Sequence, residues 1–485
     1  MSAKVEHAPR VVLLHSNDLH SRLEQAAQIA SYISAERRLY GDDRLLVLDC
    51  GDHMDRMRVE TEGSDGLVNI ELLNAAGYAA VTLGNNEGLT YSREELVSAY
   101  QGHAKFPVIC ANMLDLNTGE RPEWLLPSYI MVKNGIRIGV TAATAAFADF
   151  YCLLGWEATD PFEALRQQVT ELREQADVVI VMSHLGLPSD ERIAAEIPGV
   201  DLILGAHTHH LLLEPLVRGT TTICAAGKFG EYLGRVELDL DRDTGRPVIR
   251  GGCVAMAAEE QEERATAIIR SFLDAGCRRL NREIVALDLP LPAGNDTDAP
   301  LANLLAAGLR QWTGADIGLV NTGQLLGGLA SGRVTSGQLH ALCPSPINPC
   351  LMQLNGTDLL QALEESLLEE FRSKPIKGFG FRGEVLGALA VDGLHIVYDL
   401  SRPPYARIIE ASLGDKALEP DSCYSVGTID MFTFGVGYLS LKNGTGLRYF
   451  LPEFIRDLLA SQLQKENERQ QCFVNRWSRI PIHNE

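Results

Sequence analysis

The feature that most constrains the fold is a run of short, almost wholly apolar segments rich in β-branched residues, spaced by helical stretches. In the first half of the chain these are Arg10–His15, Arg44–Asp49, Ala80–Leu83, Val108–Ala111, Arg137–Thr141, Val178–Ser183 and Leu202–Gly205. They are too short for helices and too uniformly apolar for strands with a wet face, so they predict strands covered on both sides. Helical patterns lie between them, over Gln25–Tyr40, Asp65–Gly77, Ser92–His103 and Phe162–Gln175. Strands alternating with helices predict a layered α/β architecture.

A chain of 485 residues is long enough for two to four domains. A boundary is expected near residue 255, where the segment 259–283 reads as one long helix with acids at its start and arginines at its end, matched to the helix dipole. Beyond it a second α/β unit runs to about residue 448, and an amphipathic helix follows near Leu451–Glu466. The expected division is 8–255, a connecting helix over 256–285, and 286–485.

Charge excludes one large class of partner. The chain has a formal net charge of −21, a surface that repels phosphate backbones, so no nucleic-acid binding is expected. An anionic small substrate would need a local cation to overcome that field. The apolar runs are strand-sized, whereas a membrane span needs about 20 residues, and Met1–Arg10 has no leader-like character. The ten cysteines form no C-x-x-C pair, which points to a reducing, cytoplasmic setting. No protein partner is predicted.

The chemistry sits where the predicted strands end. Asp18-Leu19-His20 follows the first, Asp49-Cys50-Gly51-Asp52-His53 the second, and Gly84-Asn85-Asn86-Glu87 the third; Ser183-His184 and Gly205-Ala206-His207-Thr208-His209-His210 close two later ones. Ligands of open α/β sheets bind outside the carboxyl ends of strands, so these termini aim donors at one edge. Carboxylate, carboxamide and imidazole together suit two divalent ions clamping a phosphoryl group, and admit manganese, iron, cobalt or zinc. A lone Asp-x-His carries little weight. The ordered set carries the argument.

In that order the motifs resemble the calcineurin-like metallophosphoesterases. Leu14–His20 (LHSNDLH) and Ser64-Asp65-Gly66 narrow the likeness to the 5′-nucleotidase and UDP-sugar hydrolase branch, closest to cytoplasmic Firmicute-type bifunctional metallophosphatase/5′-nucleotidase proteins. The resemblance implies a two-sheet α/β sandwich carrying two metals, followed by a smaller α/β substrate-binding domain. It places one metal on Asp18, His20, Asp52 and His209. The other falls to Asp52, Asn85, His184 and His207, with Asp52 bridging. It also assigns an aromatic clamp to segments 378–387 and 427–438, where Phe379, Phe381, Phe432 and Phe434 are available, with Arg382 for a phosphate and Asn321 nearby.

Two departures matter. The family's Gly-Asn-His-Glu reads Gly84-Asn85-Asn86-Glu87, and Leu89 stands where an aspartate supports that histidine. Asn85 and Asn86 are then expected to steady the phosphoryl oxygens, with the leaving-group proton either unnecessary or supplied by His53, His210 or His103. In the second domain Asn321–Leu326 lacks the anchoring arginine, and Gly435–Tyr438 lacks an aspartate. The resulting reading is a dimetal phosphohydrolase acting on nucleotide-related monoesters or anhydrides. The alternatives are a phosphodiesterase, cyclic nucleotides included, and a catalytically weak metal-bound nucleotide-binding protein.

Overall fold

A computed structural model describes residues 10–294 and 297–480. The ends of the expected division, at residues 8 and 485, lie outside the described residues. The chain divides into two compact units, 1–276 and 277–485. The division falls inside the helix Glu263–Leu280, which occupies the place of the expected connector. Most of that helix belongs to the first unit. A Cβ on its Gly276 would come within 2.6 Å of the Val59 carbonyl oxygen, and one on Gly63 within 2.3 Å of the Gly276 Cα, so only glycine pairs permit this approach.

The first unit is built on two sheets. The seven-stranded one runs Pro247–Ala255, Tyr232–Leu240, Val11–Ser16, Leu45–Asp49, Ala80–Val81, Val108–Ile109 and Leu125–Leu126. The six-stranded one runs Leu216–Arg218, Thr221–Ala225, Leu202–Gly205, Val178–His184, Ile136–Thr144 and Ser128–Lys133. Strand periodicity explains how both faces are buried. Val178, Ile180 and Met182 join Val11, Leu13, Leu46 and Leu48 in the core between the sheets. Val179 and Val181 instead meet Leu165, Val169, Leu172 and Ile193 from the outer helices. Each predicted strand is present within a few residues of its expected bounds, and the sandwich is as expected.

Within each sheet, the strands that end in polar residues run parallel to one another. Val11–Ser16 pairs in parallel with Leu45–Asp49, which pairs with Ala80–Val81; Val178–His184 pairs with Leu202–Gly205. Parallel register puts all these carboxyl ends at one edge of each sheet. The helix Leu23–Tyr40 backs the first strand, burying Leu23, Ala27, Ala30 and Ile33 at helical spacing and ending at Gly41 with φ +76°.

The second unit holds a five-stranded mixed sheet in the order Leu389–Asp392, Ile317–Asn321, Cys423–Ile429, Pro349–Asn355 and Thr445–Tyr449, and a separate four-stranded sheet. Its core takes Leu301, Leu304, Leu305 and Leu309 from one face of the helix Pro300–Thr313. The expected C-terminal helix is present as Ile455–Leu463.

Candidate metal centre

Seven side chains expected as ligands come from both sheets of the first unit. Asp18, His20, Asp52 and Asn85 follow strands of the seven-stranded sheet; His184 ends a strand of the other, and His207 and His209 follow the next. Two groups are mutually close: Asp18, His20 and His209, and Asp18, Asp52 and His184, each with ligand atoms within 4.8 Å of one another. His184 Nε2 lies 3.4 Å from Asp52 Oδ1, and His209 Nε2 lies 3.4 Å from Asp18 Oδ1. Asp52 reaches the first group too, with Oδ2 at 3.8 Å from His20 Nε2. The His184 and His207 rings are 5.2 Å apart.

Three independent observations show that these residues fit a cation. Five of the seven (Asp18, His20, Asp52, His207 and His209) have φ between +46° and +71°. Asp and His tolerate this left-handed region better than most residues, yet it still costs about 1 kcal/mol each, and such strain concentrates at functional sites. Asn85 Oδ1 and His184 Nε2 are buried with no hydrogen-bond partner, so both lone pairs are available to a cation. His184 Nδ1 donates to the Cys50 carbonyl at 2.8 Å, the outer bond that frees Nε2 as a ligand.

Electrostatics agree. Burial alone would lower the pKa of His184, but Asp52 and Asp18 carry it up to about 10: the carboxylates demand positive charge between them. Asp52 is held below the usual carboxylate range; burial opposes this, and His184 and His20 overcome it. His207 is lowered to about 4 by burial and by His184, leaving a neutral imidazole.

The geometry also identifies residues to which the motifs gave no role. Glu87 Oε2 accepts from the backbone N–H groups of Asp52 (2.9 Å) and Gly84 (2.8 Å), while Oε1 accepts from Met54 (2.8 Å). One buried carboxylate thereby ties the Asp52 and Asn85 loops together. Their approach is so close that a Cβ on Gly51 would sit 2.4 Å from Gly84 N, and one on Gly84 2.0 Å from Asp52 Oδ1. Asn17 performs the same service on the other side, donating to Asp18 Oδ2 (2.8 Å) and the Gly227 carbonyl (2.7 Å). Glu87 is the third helical position after Gly84, where a carboxylate satisfies free N–H groups.

Two expected catalytic roles are revised. His53 is 1% exposed, with Nδ1 2.9 Å from Asp49 Oδ1 and Nε2 2.8 Å from the Tyr100 hydroxyl. Burial opposes its protonation, but Glu87 and Asp49 raise its pKa to about 9. It lies buried beneath the loops, with both ring nitrogens engaged and no face for a leaving group. Asn86 Nδ2 lies 2.9 Å from His20 Nδ1 and donates to the Met54 carbonyl at 3.1 Å, while its backbone N–H donates to Asp52 Oδ1 at 2.7 Å. Asn86 therefore positions two ligands. His210 is exposed and bonded to Thr208, and His103 is exposed beside Glu71.

In the second unit the four phenylalanines separate by burial. Phe379 and Phe434 are 56% and 40% exposed and stack with centroids 5.9 Å apart. Phe381 and Phe432 are buried in the core, which removes them from the clamp. Asn321 is also buried, donating to the Leu386 carbonyl and accepting from Gln324, so it braces a loop and touches no ligand. Arg382 is half-buried, its guanidinium donating to the Phe381 carbonyl.

Comparison with known proteins now bears on this geometry. Residues 11–211 match the calcineurin-like phosphoesterase family, and residues 281–440 match the 5′-nucleotidase C-terminal domain. The uncharacterized metallophosphoesterase YunD of Bacillus subtilis is 36% identical over 93% of this chain and 98% of its own length. The chain belongs to the calcineurin-like metallophosphoesterases that carry a 5′-nucleotidase C-terminal domain. It is a hydrolase of phosphoesters that uses divalent metal ions. Mouse 5′-nucleotidase is 25% identical over 82% of this chain and 77% of its own. A putative 5′-nucleotidase from Staphylococcus aureus shares the fold, with a TM-score of 0.67 at 17% identity over 97% of this chain and 99% of that one. Among the described residues, no helix is long and apolar enough to cross a membrane.

Proposed function

We propose that this metallophosphoesterase holds two divalent cations and hydrolyses nucleotide-related phosphate monoesters and phosphoanhydrides. The observation that carries this reading is the pair of ligand groups sharing Asp18, with Asp52 within 3.8 Å of both His20 and His184. One cation would be held by Asp18, His20, Asp52 and His209, the other by Asp52, Asn85, His184 and His207. When bound, such a pair supplies Lewis acidity at the phosphoryl oxygens and an acidified water for attack.

The remaining work falls to the chain's own residues. Glu87, Asn17 and Asn86 hold the ligand loops in place before substrate arrives, which is where preorganised sites gain their rate. His53 bridges Asp49 and the Tyr100 hydroxyl beneath the loops and so braces them from below. Asn86 has no titratable proton and is committed to His20 and Met54. Leaving groups of low pKa are therefore favoured: phosphoanhydrides and aryl esters over alkyl esters. In the second unit, Phe379 and Phe434 are the exposed rings suited to a purine or pyrimidine. Holding a base between them needs a centroid spacing of about 7 Å, two aromatic contact distances, so the rings part by about 1 Å. Ten free cysteines, several of them exposed, support a reducing cytoplasmic location.

The test is phosphate release by manganese-loaded protein on mononucleotides, nucleoside diphosphates, UDP-sugars, cyclic nucleotides and aryl mono- and diesters, with Asp52→Asn as the blank. Turnover on anhydrides and aryl monoesters is expected. Turnover confined to diesters would replace the reading with a phosphodiesterase, and silence across the panel with metal bound would replace it with a nucleotide-binding protein.

A further inference from the structure

Beside the metal-ligand cluster lies a feature that the ligand set does not use. Arg22 and Lys228 both rest on the ring of Phe229, each 4.6 Å from its centroid. The edge of that ring meets His20 at a centroid distance of 5.7 Å. Acids outnumber bases by 21 in this chain, and most of its arginines near acids are ion-paired. Yet among the described residues no carboxylate lies within ion-pair distance of Arg22 or Lys228. Glu24 acts on Arg22 only from beyond ion-pair distance, so two cations on one ring, next to an expected metal ligand, keep positive charge available to an anion.

Their positions are fixed by the same backbone that fixes the ligands. Phe229 N donates to the Asp18 carbonyl at 2.7 Å, Asn17 clasps Gly227 and Ala226, and Phe229 itself is left-handed at φ +62°. A phenylalanine in that region is strained, and the strain is sustained by glycines at +76° and +66° on either side. Arg22 follows His20 and Ser21, both also left-handed, and its backbone N–H closes a turn onto Leu19. The aromatic ring then orients both cations by cation–π contact.

We propose that Arg22 and Lys228 form a subsite for a second phosphate, the one adjoining the phosphoryl group under attack, and so select phosphoanhydrides. The inference rests on the phosphohydrolase reading of the neighbouring cluster and narrows its substrate class. In the reaction, the water oxygen bonds to the terminal phosphorus as water gives up a proton to solvent. The bridging P–O bond breaks with its electron pair staying on the departing phosphate oxygen. That negative charge develops against Arg22 and Lys228. Electrostatic stabilisation thereby replaces the proton that Asn86 cannot give.

Binding reads this subsite independently of turnover. Manganese-loaded wild type, Arg22→Gln, Lys228→Gln, the double variant and Lys228→Arg are titrated with methylenediphosphonate and with methylphosphonate, after metal content and melting temperature are matched. The ratio of the two affinities is the readout, since chelation by either probe is common to all the proteins. Each glutamine is expected to lower the diphosphonate preference by about tenfold, Lys228→Arg to keep it, and added salt to erode it in the wild type. A wild type with no diphosphonate preference, or a double variant with the wild-type ratio, overturns the subsite. Failure of the hydrolase reading shows elsewhere, as absent phosphate release while the binding ratio persists.

Discussion

The metal-ligand edge of the first unit and the exposed aromatic pair of the second are constrained to very different degrees. At the first, five of the expected ligands sit in left-handed backbone, a buried glutamate ties two loops by three hydrogen bonds, and Gly51 and Gly84 let the loops pack where a Cβ would clash. At the second, Phe379 and Phe434 are half in solvent and stack on each other. The arginine and aspartate expected around them are absent from Asn321–Leu326 and Gly435–Tyr438. The candidate metal centre is held rigid by its own backbone, and the aromatic pair is not.

The largest effect that separates the two regions should come from Asp52. Asp52→Asn is expected to lower kcat/KM by about 10³-fold or more on every substrate, with loss of bound metal, because one carboxylate serves both ligand groups. Glu87→Gln comes next. It weakens the tie between the Asp52 and Asn85 loops without removing an expected ligand atom, and metal affinity measured by titration should fall about 10–100-fold. An unchanged affinity would show that the loops hold themselves.

Within the second unit the phenylalanines should divide as their burial does. Phe432→Ala empties a core position and is expected to cost about 3–5 kcal/mol in denaturant unfolding. Phe379→Ala should leave the unfolding midpoint nearly in place. It should raise KM for nucleotides more than for an aryl phosphate, by about 1–3 kcal/mol of stacking. Equal effects of the two variants on stability would erase the distinction between clamp and core.

The smallest expected effect is a pH dependence. Asp430, buried at the start of the segment bearing Phe432 and Phe434, is pushed up to about 7 by burial, with Oδ1 left without a partner. A carboxyl whose folded pKa lies above its ordinary value favours the folded state below about pH 4, and that contribution is lost as pH rises through 7. Asp430→Asn should therefore raise the unfolding midpoint more at pH 8 than at pH 5. The reverse order would mean that the folded protein holds the Asp430 carboxyl below its ordinary pKa.

Most of the sandwich was legible in the sequence because strands covered on both sides leave an unmistakable apolar run, as at Val178–His184. The residues that gather at the candidate metal centre stood out because each strand ends in a short motif whose order survives in one dimension. The positioning residues were not. Glu87 and Asn17 act on backbone groups brought close only by the fold, and His53 was misread because its partner Tyr100 lies 47 residues away. The alternation of buried and exposed phenylalanines follows from irregular loops, where no periodicity announces which ring turns inward. The pairing of Arg22 with Lys228 depends on a loop from the far end of the domain returning to Asp18.

The central claim is that one edge of the first unit is built for two cations sharing Asp52. Native mass spectrometry of manganese-loaded wild type and Asp52→Asn, checked by elemental analysis, tests it most directly. The account predicts two ions per chain in the wild type and at most one in the variant. A wild type that saturates with one ion, or a variant that keeps both, would contradict it.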